Sequence, residues 1–205
     1  MTSIAQGYYT IAVWITRFAY VNILWVAFTI LGLGIFGFMP ATVAMFAIVR
    51  KWNIGDPDIA IFPLFWKTYR QEFLKTNGLG LLLAAIGYLL TIEFQILGTQ
   101  TSLIYQMVQF SVVVMLILFV MVVAYFFPIY VHFNLKTMDY IKWPFIIGII
   151  HPILTVVLLV GVGLLLSITF YLLPALLFLF GGSVSAYILM WGVSKTFAKY
   201  EARNI

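Results

Sequence analysis

WPFIIGIIHPILTVVLLVGVGLLLSITFYLLPALLFLFGGSVSAYILMWGVS, residues 143–194, runs 52 positions without an Asp, Glu, Lys or Arg. An α-helix rises about 1.5 Å per residue, so about 20 apolar residues already cross a hydrocarbon core of ~30 Å. The stretch is long enough for two crossings. Working outward, residues 94–135 and 18–49 are equally free of charge over 42 and 32 positions. The whole chain of 205 residues is 64% hydrophobic and 8% charged, with a mean hydropathy of +1.12. Soluble domains carry about 25% charged residues. The fold class is therefore an all-α, multi-pass membrane protein, a single transmembrane domain over 1–205.

The charges that remain punctuate the apolar runs. Arg50, Lys51, Asp56, Asp58, Lys67, Arg70, Glu72 and Lys75 fall in 50–75. Lys136, Asp139 and Lys142 follow, and Lys195, Lys199, Glu201 and Arg203 close the chain. Lys and Arg are retained on the cytoplasmic side of a bilayer. All three clusters are expected to face the cytoplasm, which is ten of the eleven basic residues, and with them the C-terminus. Five spans follow, at roughly 18–39, 76–97, 104–130, 143–166 and 170–193. In this arrangement the N-terminus lies outside and Arg17 is the sole outer basic residue. A six-span alternative puts the N-terminus inside and splits 18–49 into a hairpin at Gly32, Gly34, Gly37 and Pro40, with the break near Gly37–Pro40. A full span followed by a shorter interfacial or re-entrant helix, opened by Pro40 in its first turn, fits the length better. Five is preferred because 32 residues fall short of the ~40 that two full spans need. No basic n-region precedes the first apolar stretch, so a cleaved signal peptide is not expected.

Within the cytoplasmic loop 50–75, Phe62, Phe65, Trp66, Tyr69 and Phe73 share one helical face, with Lys67, Arg70, Gln71 and Lys75 opposite. This predicts an amphipathic helix over about 60–75 lying on the inner leaflet, with Asp58 as its N-cap. An aromatic face of this kind also suits a partner's groove, and with Arg50 and Lys51 it forms the candidate partner-binding surface. Trp14, Trp52, Trp66, Tyr125, Tyr130, Trp143, Trp191 and Tyr200 fit aromatic anchors at the interfaces. Gly80-x-x-x-Ala84 and Gly182-x-x-x-Ala186 put small side chains on one face, where helices approach closely within this bundle or in a homo-oligomer. Pro174 is expected to kink its span.

Few polar groups reach membrane depth. Asn22, Gln106 and Gln109 read as interhelical hydrogen-bonding groups. Glu93 reads as a headgroup-level carboxylate, with a proton or cation role as the alternative. His132 and His151 raise the same alternative of a proton relay. Cysteine is absent, and six acids and two histidines are too scattered for a metal centre. There is no HExxH, P-loop or Gly-x-Ser-x-Gly pattern. No catalytic residue, cofactor or metal is expected. The basic balance follows the positive-inside pattern rather than nucleic-acid binding. The reading is a non-enzymatic membrane protein in contact with lipid, with an independent small-molecule or ion transporter as the alternative.

Asn22, Trp25, Gly32 and Gly37 lead into Pro40-Ala41-Thr42, Ala44 and Arg50-Lys51, followed by Phe65, Tyr69, Phe73 and Asn77. Over its first 80 residues the chain resembles the YesL-like family of small bacterial integral membrane proteins. Members are often encoded beside oligosaccharide importers of the ATP-binding cassette type and sugar-responsive two-component systems. The resemblance implies a bacterial cytoplasmic-membrane protein with a role in carbohydrate uptake or its sensing, and importer permease subunits as partners.

Overall fold

The computed structural model describes residues 3–99 and 102–201, and their side chains over 5–99 and 102–200. Arg203 lies outside the described residues. The chain forms α1 (Ser3–Leu31), α2 (Ile35–Asn53), α3 (Ile61–Gly98), α4 (Leu103–His132), α5 (Asp139–Ile150), α6 (Pro152–Leu172) and α7 (Pro174–Glu201). No strand occurs among the described residues. All but α5 are long and apolar enough to cross a membrane, which makes six such helices where five were preferred. The reason lies upstream of Arg17. α1 starts at Ser3, so uncharged residues on both sides of a lone arginine lengthen it to 29 residues.

The split in 18–49 falls at residues 32–34, at the first two of the glycines expected for a hairpin and ahead of Gly37–Pro40. Leu33 N–H donates to the Ile30 carbonyl (2.9 Å) and Gly34 N–H to the Thr29 carbonyl (2.8 Å), the crossed pair that closes a helix C-terminus. Leu33 at φ 59° is the left-handed residue that ends α1, and Gly34 at φ 76° continues the positive-φ backbone of the turn. A Cβ at Gly37 would collide with the Phe28 and Thr29 carbonyl oxygens, so only glycine lets α2 start against α1. Pro40 then sits inside α2 without breaking it. Its missing N–H leaves the Phe36 carbonyl unpaired, and Asn77 Nδ2 donates to that oxygen at 2.9 Å.

α1 and α2 run antiparallel, with Trp25 Nε1 donating to Thr42 Oγ1 (3.0 Å) and Phe18 edge-on to Trp52. Arg17 pairs with Asp58 at 2.5 Å. It therefore lies at the same end as the 50–58 segment, not alone at the opposite one. Asp58 is thereby occupied. The residue before α3 is Ala60, and no side chain caps that helix.

The surface helix expected over 60–75 is not separate. It is the first half of α3, a continuous helix of 38 residues, about 57 Å long. The rings of Phe62, Phe65, Trp66 and Tyr69 gather around Phe28 of α1, with centroids 5.1–6.4 Å away. α3 and α4 then form a hairpin, with Gly87 against Phe119 and Glu72 against Tyr130.

The expected span 143–166 is divided at His151. Pro152 has no N–H for the Gly148 carbonyl. The Thr155 hydroxyl takes its place, 3.1 Å from that oxygen and 3.0 Å from the His151 carbonyl, and lies 2.9 Å from Tyr125 Oη. Pro174 opens α7 instead of kinking it, in the position where a missing N–H costs nothing. α2 is the central helix, with 61% of its span buried. Phe46 stacks on Phe127 of α4 (5.3 Å), and Phe65, Tyr125, Phe126, Met190 and Phe197 fill the surrounding core.

Candidate functional site

The charged end of the bundle brings together side chains from four elements. α3 contributes Glu72 and Lys75, α4 Tyr130 and His132, the 133–138 connection Phe133 and Asn134, and α5 Tyr140. They line a cavity of about 220 Å³ open to the surface. Tyr130 Oη donates to Glu72 Oε2 at 2.5 Å. The Tyr130 and Tyr140 rings lie 4.4 Å apart, and Lys75 Nζ sits over both, 5.2 Å and 4.6 Å from their centroids. A cation over aromatic faces gains about 0.5–1 kcal/mol at exposed sites. Tyr140 Oη accepts from Leu135 N–H (3.0 Å) and donates to the Phe133 carbonyl (3.1 Å), which ties the irregular 133–135 backbone to α5.

Arg50, at the end of α2, donates through Nε to His132 Nδ1 at 3.3 Å. His132 stacks against Phe197 of α7 (4.3 Å). The site thus offers a carboxylate, an ammonium, an amide and two phenol rings within one small cleft. That chemistry is suited to a polar group. No cluster of three or more metal-ligating side chains occurs among the described residues.

The candidate partner surface is only partly available. Phe65 is fully buried and Tyr69 nearly so, its hydroxyl 3.2 Å from the Phe28 carbonyl. These two aromatics are closed to a partner because α1 already occupies that face. Phe62 and Trp66 remain exposed, and Phe73 is half-buried. On the free side of the same helix Pro63, Lys67, Arg70 and Leu74 are exposed at helical spacing. Lys51 pairs with Asp56 at 3.5 Å. Of the residues read as interfacial anchors, Trp52, Tyr125, Tyr130 and Tyr200 are buried in the core. Trp191 is half-exposed and carries Lys195 Nζ over its ring at 3.3 Å.

Asn22 is 1% exposed and fully engaged with α7. Nδ2 donates to the Phe178 carbonyl (2.6 Å), and Oδ1 accepts from Ser183 N–H (2.9 Å). A Cβ at Gly182 would stand 2.8 Å from Asn22 Oδ1, which gives the Gly182–Ala186 face its role inside this bundle. Glu93 is exposed on the second half of α3. His151 sits at the α5–α6 break beside Tyr200, ring centroids 6.5 Å apart. Its Nε2 is buried with no hydrogen-bond partner, as is Tyr200 Oη. The two histidines pack against different aromatics of α7, and Glu93 belongs to neither group. The Glu72–Tyr130–Lys75–Tyr140 cluster escaped the sequence reading. Its only signal was polar and aromatic residues recurring at one end of the charge-free runs, which does not specify pairing.

The family described as "Protein of unknown function, DUF624" matches residues 18–94. Over 203 residues, 99% of the chain and 97% of the relative, the sequence is 33% identical to "Uncharacterized protein YesV" of Bacillus subtilis (strain 168). It is 36% identical to YteU of the same organism over 188 residues, 92% of the chain and 84% of that protein. Identity to YesL, again from that organism, is 33% over 205 residues, 98% and 95% of the two. No solved structure matches significantly.

Proposed function

The chain belongs to the YesL-like (DUF624) family, and from that premise we propose a non-enzymatic accessory or regulatory subunit. Its place is beside the permease of a carbohydrate importer of the ATP-binding cassette type, in the bacterial cytoplasmic membrane. The importer is what the family resemblance implies. Physical support for a binding rather than a conducting role comes from the exposed stripe of Pro63, Lys67, Arg70 and Leu74 on α3. It lies on a face of α3 apart from the aromatics that pack on Phe28. By the positive-inside bias this end faces the cytoplasm. The start of α1 and the end of α7 then share that side, which replaces the outside N-terminus of the five-span reading.

Deep polar groups support the same view. Asn22 and Thr42 are spent on helix–helix bonds. The test is affinity capture of the tagged protein from its native membrane in mild detergent, with mass spectrometry. Permease and ATPase subunits are expected in stoichiometric amounts, and should be lost when Lys67, Arg70 and Leu74 become Glu, Glu and Ser. Recovery of the protein alone or as a homo-oligomer overturns the reading.

The unpartnered, buried Nε2 of His151 is the one observation that favours a transporter instead. That reading requires flux in liposomes that His151→Ala or Glu93→Ala abolishes.

A further inference from the structure

We infer that the cleft between Glu72, Lys75, Tyr130 and Tyr140 is a phosphate site, met by Lys75 and filled by the headgroup of an anionic membrane phospholipid. The site is separate from the exposed stripe on α3 and stands whatever that stripe binds.

Lys75 has no carboxylate partner among the described residues. The ion pairs there, Arg17–Asp58 and Lys51–Asp56, do not involve it. Glu72 lies one turn away on the same helix, but its Oε2 accepts from the Tyr130 hydroxyl. Lys75 Nζ rests instead over the Tyr130 and Tyr140 rings. An ammonium carries three N–H donors. Ring faces attract its charge from one side and leave donors open to an oxygen ligand.

The two rings also hold that ammonium in place. Both tyrosines are buried, and their rings lie 4.4 Å apart. Glu72 fixes the Tyr130 hydroxyl, while Leu135 N–H and the Phe133 carbonyl fix that of Tyr140. A free surface lysine loses rotamer entropy when it grips a ligand. Here part of that freedom is lost before a ligand arrives, which favours binding.

Charge and size point to the ligand. Glu72 is the one acid lining the cleft. Against it stand Lys75, Arg50 bonded to the lining His132, and Lys136 two positions after the lining Asn134. Asn134 is exposed and adds amide donors. The balance favours an anion with several acceptor oxygens. The volume of about 220 Å³ is below the ~300–1,000 Å³ of pockets that enclose a whole drug-sized molecule. It suits one polar group of a molecule whose remainder stays outside, as acyl chains do.

The level of the cleft names the source. Residues 76–92 of α3 and 103–131 of α4 contain no Asp, Glu, Lys, Arg or His. Lys75 and His132 are the first such groups where the two helices leave these apolar stretches. The cleft therefore stands at the headgroup level, on the side where Lys and Arg are retained. Basic pockets between membrane helices on that side take anionic headgroups.

The full-length protein in an uncharged detergent would be titrated with short-chain phosphatidylglycerol and, separately, with glycerol phosphate. Binding is read as the concentration-dependent rise in Tm. Phosphatidylglycerol should bind, and Lys75→Gln should weaken it about tenfold, the size of one charge-assisted hydrogen bond. Lys199→Gln removes an equal, exposed charge outside the cleft and should change little. Glu72→Gln keeps an acceptor for Tyr130 and removes a like charge, so binding should hold or tighten. Weaker binding in Glu72→Gln would mean that the ligand presents a cation. Equal losses in Lys75→Gln and Lys199→Gln would mean diffuse attraction to a basic face. Either result, or no binding of either probe, overturns the inference. Equal binding of glycerol phosphate, with the same dependence on Lys75, overturns the lipid as the source. None of these outcomes depends on whether permease subunits are captured.

Discussion

Asn22 supplies α7 with what a neighbouring peptide would: its Oδ1 accepts the Ser183 N–H at 2.9 Å while its Nδ2 donates to the Phe178 carbonyl at 2.6 Å. Polar bonds between membrane helices are worth about 0.6 kcal/mol on average and up to ~2 kcal/mol. Asn22 stands at the upper end because both of its groups bond to backbone in a site with 1% exposure. Asn22→Leu should destabilise the protein by roughly 1–2 kcal/mol. Gly182→Val should cost more, since its Cβ would stand against the same oxygen. Thermal unfolding in mild detergent reads both, and an unchanged Tm for Asn22→Leu would show that the amide does not tie α1 to α7.

Asn77 and Pro40 are linked through the Phe36 carbonyl. Asn77→Ala leaves that acceptor bare, at a cost of about 1 kcal/mol. Pro40→Ala restores an N–H in α2 that donates to the same carbonyl. The cost of Asn77→Ala should therefore shrink toward zero in the Pro40→Ala background. A double-mutant cycle in detergent measures this coupling, and strict additivity would remove the link.

The fold class was legible because charge-free runs of 32, 42 and 52 residues have one physical explanation. The end that gathers the charges followed from the same clusters. Span count was not legible around Arg17, because a lone arginine can snorkel or pair and so need not end a helix. Here it pairs with Asp58, a contact between residues 41 positions apart. The break at His151 was also hidden, since Pro152 is compatible with a kinked span as well as a divided one. The aromatic face over 62–73 was visible as a face. What covers it was not, because Phe28 belongs to another helix and periodicity reports only one element at a time.

Phe65 and Trp66 are sequence neighbours with opposite fates. Phe65 is fully buried beside Phe28, whereas Trp66 is 44% exposed. Truncating a buried Phe costs roughly 3–5 kcal/mol. Phe65→Ala should lower Tm strongly and reduce the yield of folded protein. Trp66→Ala should move Tm little and act, if at all, on partner capture. Equal stability losses for the two variants would argue against the packing of α3 on α1.

Tyr140 holds the connection between α4 and α5 by two bonds, from Leu135 N–H and to the Phe133 carbonyl. Its ring is also one of the two under Lys75. Tyr140→Phe keeps the ring and removes only the hydroxyl, so the packing on Tyr130 persists while 133–135 loses its tether. Lys136 is the exposed basic residue next to that tether. Local opening governs proteolysis when reclosing is fast. Trypsin should therefore cut after Lys136 about fivefold faster in Tyr140→Phe, an opening free energy lower by roughly 1 kcal/mol, the usual net value of one hydrogen bond. Cleavage at Lys199 in the same digest serves as the internal reference, because the C-terminal end of α7 makes no bond to the Tyr140 hydroxyl. A rise at Lys136 with no rise at Lys199 identifies the tether, while equal acceleration at both would mean that the hydroxyl supports the whole charged end instead.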